Sequence, residues 1–168
     1  MTVYRAFNNG LSVQAMPDGY AAQSGETLFS AAPTPAQLAA AFPAYAAAQL
    51  LLYANQKQSA AIGAGLSVNV GSGSAPQNVA VSTDAQSLVL LNGAYALAQA
   101  NSAATFQWVQ PSGVAVTLSA AQIITIFNAV AQAVQQTFSI LTATIAGINA
   151  TPPTITTTAQ IDAAFAAA

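Results

Sequence analysis

An α+β fold is what this sequence predicts: an N-terminal β-hairpin segment, an Ala-rich helix, a β-hairpin, a helix, a second β-hairpin, a long helix and a short C-terminal helix. Three observations lead there. Short runs with apolar residues at every second position are joined by Gly, Asn and Pro turns, the pattern of half-buried antiparallel strands. Four Ser/Thr-x-x-Gln sequences each open an Ala-rich or periodic segment, the pattern of a helix N-cap. One long apolar line repeats at helical spacing.

The elements follow in order. Val3 to Phe7 and Leu11 to Ala15 flank Asn8-Asn9-Gly10, and Asn-Gly favours the positive φ of a tight hairpin turn. Pro17-Asp18-Gly19 marks a further turn, and the stretch through Gly25-Glu26 to Pro33 reads as loop or short strand. The capping boxes are Thr34 to Gln37, Thr83 to Gln86, Ser119 to Gln122 and Thr157 to Gln160. In each, the hydroxyl and the Gln side chain satisfy two otherwise orphaned amides. The first helix runs from Pro35 to Ala61 with an interruption or kink at Pro43, where a backbone donor is missing. Gly63 and Gly65 end it.

Leu66, Val68 and Val70 on one strand and Val79 and Val81 on the next form a hairpin across the loop from Gly71 to Pro76. A helix from Asp84 to Ala100 follows, with Leu88, Leu91 and Tyr95 on one face and Val89 and Leu90 widening it. Phe106 and Trp108, then Val114, Val116 and Leu118, alternate on a second hairpin turned at Gln110-Pro111-Ser112-Gly113. The long helix, Ala120 to Ile148, carries Ile123, Phe127, Val130, Val134, Phe138, Leu141, Ile145 and Ile148 at an average spacing of about 3.6. That period fits a straight helix on a sheet or bundle, whereas a coiled coil keeps about 3.5. Ile124, Ile126 and Ile140 lie off the line and define a second contact surface, within the domain or between subunits. Pro152 and Pro153 stop the helix, and a short helix from Thr158 ends the chain. The expected organisation is a β-rich docking or extension segment, 1–33, followed by an α+β domain, 34–168.

Composition narrows function more than any motif does. Of 168 residues, 54% are hydrophobic and 4% charged, against roughly 25% charged in an average soluble domain. The charges are Arg5, Asp18, Glu26, Lys57, Asp84 and Asp162, and none lies between Asp84 and Asp162. A surface of Gln, Asn, Ser and Thr gives up water without stripping an ion, so it suits permanent contact with other subunits. Two cations supply no footprint for nucleic acid. The most apolar stretch, Ile123 to Ile148, is broken by Asn128, Gln132, Gln135 and Gln136, so no membrane insertion is expected. The N-terminus lacks the basic-then-apolar order of a signal peptide.

Little is available for chemistry. There is no His and no Cys, which removes the commonest general base, the thiol nucleophile and the usual zinc ligands. No cofactor, no metal and no catalytic residue is expected. Asp84 and Asp162 read as first-turn acids facing a helix dipole, Asp18 as a turn residue; Glu26 has no reading. Phe106 and Trp108 would contact sugar or peptide if exposed, but aromatics on an alternating strand more often belong to the core.

The order of elements from Lys57 onward resembles a domain of unknown function found in tail-fibre and tail-associated proteins of tailed bacteriophages. It is carried by Gln56-Lys57-Gln58-Ser59-Ala60-Ala61-Ile62, Gly65-Leu66-Ser67-Val68, Val81-Ser82-Thr83-Asp84, Gln86-Ser87-Leu88, Thr105-Phe106-Gln107-Trp108 and Val116-Thr117-Leu118-Ser119-Ala120-Ala121-Gln122, up to Asp162. The resemblance implies a structural virion component, assembled in the bacterial host cytoplasm and partnered by other virion proteins or by copies of itself, a trimer through the long helix being one arrangement. It implies no catalytic residues. The alternatives are a receptor- or carbohydrate-binding fibre module, with Trp108, Phe106 and Tyr53 or Tyr95 as contacts, and a fibre-assembly chaperone.

Overall fold

A computed structural model describes residues 2–71 and 76–166. Its order is β1 (Val3–Phe7), β2 (Ser12–Met16), β3 (Thr27–Phe29), α1 (Pro35–Ala41), α2 (Tyr45–Gly63), β4 (Leu66–Asn69), β5 (Asn78–Val81), α3 (Ala85–Ala100), β6 (Thr105–Val109), β7 (Ala115–Ser119), α4 (Ala120–Asn149) and α5 (Thr158–Ala166). This is the expected α+β order. The loop expected between β4 and β5 falls largely on 72–75, outside the described residues.

The chain divides into two compact units. The first holds Met1–Asn55 and Thr144–Ile161, the second Gln56–Ala143 and Asp162–Ala168. In the first, β1 pairs antiparallel with β2 and with β3, giving the order β2-β1-β3. The turn between β1 and β2 has positive φ at Asn8, Asn9 and Gly10. A Cβ on Gly10 would lie 2.8 Å from the Tyr45 ring, so the turn also needs the bare backbone to reach α2. Thr34 caps α1 in a complete capping box, and Pro35 occupies the first turn. The chain breaks after Phe42, and α2 starts beyond Pro43. The core here is small: Ala6, Leu38, Ala48, Ala54, Ile148 and Ile161.

The second unit carries the larger core. Hairpins β4-β5 and β6-β7 each form a two-stranded sheet, and alternation puts Val68, Val79, Val81 and Leu118 inside. They pack with Leu91 and Ala98 of α3 and with Ile123, Ile126 and Val130 of α4. Each such Leu or Ile, removed from water, contributes roughly 1.5–3 kcal/mol. Tyr95 stacks on Phe127 at a ring separation of 3.9 Å. Gly65 has φ +79°, and a Cβ there would lie 2.9 Å from the Val81 carbonyl oxygen, which fixes glycine at the entry to β4.

Three capping boxes form, at Thr34, Ser119 and Thr157. The fourth is corrected. Asp84, not Thr83, caps α3: its carboxylate accepts the amides of Gln86 and Ser87 at 2.9 and 3.0 Å. Thr83 is buried, and its hydroxyl accepts the Gly65 N–H at 3.1 Å and donates to the Ile62 carbonyl, which ties the end of α2 to the start of α3. Asp162 lies past the first turn of α5 and pairs with Lys57 at 2.6 Å, so its role is that ion pair and not the helix dipole. On α4, Ile123, Val130 and Ile148 are buried as the apolar line requires, while Phe138 is 48% exposed.

Candidate functional site

The unexplained acid finds its partner first. Glu26 accepts from Arg5 at 2.7 Å, from the Tyr20 hydroxyl at 2.8 Å and from the Gln23 N–H at 3.0 Å. These bonds, the Gln23 amide foremost, hold its carboxyl below the usual carboxylate range. Arg5 also donates to Gln14 from two nitrogens and stacks over Phe7. The cluster pins β1, β2 and the segment before β3 to one another. Glu26 serves Arg5, Asp84 caps a helix and Asp162 pairs with Lys57, so each is committed locally. Among the described residues no group of three or more acidic side chains is gathered to hold a metal. No described helix is long and apolar enough to cross a membrane.

What the second unit does present is apolar. A groove of about 530 Å³ runs between α3, which contributes Ser87, Leu90 and Ala94, and β6, which contributes Phe106, Gln107, Trp108 and Val109. Phe106 and Trp108 are half-buried: they pack against the core and also line this groove. The Trp108 indole nitrogen is buried with no acceptor among the described residues. Tyr95 is engaged in its stack on Phe127 and accepts from Gln99. Of the off-line isoleucines, Ile126 is fully buried and Ile124 packs against the same core, so both serve the within-domain contact; Ile140 is half-buried.

Sequence reasoning missed the helix wall. Val89 and Leu90 do not widen the buried face of α3; they are 72% and 64% exposed, and Leu97 is 54% exposed. The available signal was the helix itself. From Ala85 to Ala100 it carries no charge, and its few polar residues, Gln86, Ser87, Asn92 and Gln99, do not make up a polar face opposite the core, whereas a helix packed on one face only shows a polar opposite face.

The strand wall is defined by register. The Ala120 N–H donates to the Ala104 carbonyl, and the Gln110 N–H to the Val114 carbonyl. In the antiparallel ladder this makes Phe106 and Trp108 the residues that exchange hydrogen bonds with Leu118 and Val116. Thr105, Gln107 and Val109 therefore turn their N–H and C=O groups away from β7. On β5 the corresponding outward residue, Ala80, has its N–H taken by the Gln110 side chain at 2.9 Å. On β7, the outward Ser119 N–H is taken by Gln122 at 2.9 Å.

Fold and site together define a nearly uncharged α+β protein with an apolar groove beside an open strand edge. The chain belongs to the family described as a domain of unknown function (DUF4376), which matches residues 32–167. The match starts well before Lys57 and takes in α1 and α2. No curated protein and no solved structure matches the chain.

Proposed function

We propose that this protein is a structural component of a tailed-bacteriophage particle, tail- or fibre-associated, acting through subunit–subunit contacts. The observation that carries the contact role is α3: uncharged and largely apolar, it buries Leu91 and Ala98 and leaves Val89, Leu90 and Leu97 open. A helix of that composition belongs in an interior or an interface. The uncharged run from Ala85 to Ile161 supports the same role, since no ion there would need a partner on burial. Placement in a phage tail is supported by the resemblance from Lys57 to Asp162.

Mass spectrometry of purified particles should find the chain at structural copy number. Its absence would remove the structural role and leave the assembly chaperone. Contact through α3 is tested by light scattering on the isolated chain. The wild type should exceed monomer mass, and Val89→Glu should lower the association constant at least tenfold, because a desolvated carboxylate at the contact is costly. A wild-type chain that stays monomeric at high concentration would remove the contact role.

A further inference from the structure

We propose that the outer edge of β6 is a strand-acceptor site, which takes an extended, uncharged segment of a partner protein into the groove between β6 and α3. The segment would pair through the backbones of Thr105, Gln107 and Val109. This inference is independent of placement in a particle.

Three features select a strand as the occupant. First, the outward groups of Thr105, Gln107 and Val109 form a row that no strand fills among the described residues, and such a row is satisfied by another backbone. Second, the row has ends. The Ala103 N–H is already held by the Asn101 side chain at 3.0 Å, and Pro111 has no N–H to offer. The open edge is therefore β6 itself, 5 residues, or roughly 17 Å of strand. Third, the edge is not blunted as its neighbours are. Ala80 and Ser119 have side chains plugging their outward amides, and β6 carries none of the lysines that usually protect an edge.

The lining sets the chemistry of the segment. No charged residue lines the groove, and about 530 Å³ falls within the ~300–1,000 Å³ typical of ligand sites. Leu90 and Val109 supply exposed apolar surface, 64% and 67%. The Ser82 and Ser87 hydroxyls both donate to the Asp84 carboxylate, at 2.7 and 2.6 Å, so neither is spare for a ligand. Polar recognition is left to the backbone. Side chains on a strand alternate, so the occupant needs apolar residues at alternate positions towards Leu90 and Ala94, with neutral polar residues between. The anionic Asp84 nearby disfavours a free C-terminal carboxylate, so an internal segment is the match.

The test uses the full chain and an acetylated, amidated heptapeptide of alternating Val and Thr. Trp108 is the sole tryptophan, so its fluorescence reports occupancy directly. Saturable binding is expected. It should weaken at least tenfold when alternate peptide amides are N-methylated, and at least tenfold in Leu90→Asp. Gln107→Pro removes an N–H that points away from β7, so the hairpin keeps its ladder while binding falls at least tenfold. Thr117→Pro, on the far edge and outside the groove, should bind within twofold of wild type. Circular dichroism checks each fold; if Gln107→Pro does not fold, the N-methylated peptide and Leu90→Asp decide. Absence of saturable binding, or equal binding of the N-methylated peptide, would overturn the proposal.

Discussion

Asp84 shows how much one carboxylate does in a chain with so few. It accepts hydroxyl hydrogens from Ser82 and Ser87 and amide hydrogens from Gln86 and Ser87. The Ser87 hydroxyl and amide contribute most to holding its carboxyl well below the usual carboxylate range. The sign of the linkage follows. A folded-state pKa below the unfolded value of about 3.9 means the stabilisation is fully present above that value. It is lost as pH falls through the acid range towards the lowered pKa. Glu26 is shifted in the same direction and adds to the acid lability. Asn caps a helix about as well as Asp but does not titrate. Asp84→Asn keeps an acceptor for the cap but loses the charge-dependent bonds to Ser82 and Ser87, so it should have a lower urea midpoint than wild type near neutral pH and lose less of it on acidification to about pH 2.5. An unchanged acid loss would show that Asp84 does not carry it. Sequence alone placed an acid at this helix start but chose Thr83 as the cap. Which of two adjacent capping residues turns outward depends on where α2 ends, and the Thr83 hydroxyl is consumed there by Gly65 and Ile62.

At the scale of elements, the join between β7 and α4 is the most informative. Ser119 ends one and caps the other, and Gln122 accepts the Ser119 N–H while its amide donates to the Val70 carbonyl and to Gln77, each at 3.2 Å. One residue pair thus starts the longest helix and braces the other hairpin against it. Ser119→Ala should cost about 1 kcal/mol in urea unfolding, the usual value of an N-cap. Gln122→Ala should cost more, since it also frees the Val70 carbonyl; equal losses would show the brace to be idle. Such elements were legible because their signals are local: Ser/Thr-x-x-Gln, Asn-Asn-Gly and the Val alternation of β4 and β5 each fix a conformation within a few residues. The third strand pairing, β1 with β3, was not, because Thr27–Phe29 is 3 residues long and its partner lies far back in sequence. The groove was half legible. Phe106 and Trp108 stood out as aromatics on an alternating strand, but the opposite wall required knowing which side of α3 the core takes. A helix without a polar face leaves that to the tertiary packing.

For the whole molecule, the consequence of near-neutrality is a particular kind of association. Surface ion pairs are screened by salt, with a Debye length near 10 Å at about 0.1 M and about 3 Å at 1 M. Contacts built from charge weaken accordingly, whereas apolar contacts do not, and sulfate strengthens them by raising the cost of exposed apolar surface. Between Ala85 and Ile161 there is no charge to screen. The chain carries a formal net charge of only -2, so long-range repulsion between copies is slight. Self-association through α3 should therefore be insensitive to sodium chloride from about 0.05 to 1 M and should tighten in sodium sulfate. Sedimentation velocity across that series reads both limbs. An association that falls steeply with sodium chloride would locate the contact at the charged residues outside this run, Arg5 and Lys57 among them, and remove α3 from the interface. Salt-independence that persists in Val89→Glu without loss of affinity would move the contact to another neutral face. The two limbs separate a charge-driven contact from an apolar one, and the variant then places the apolar one on or off this helix.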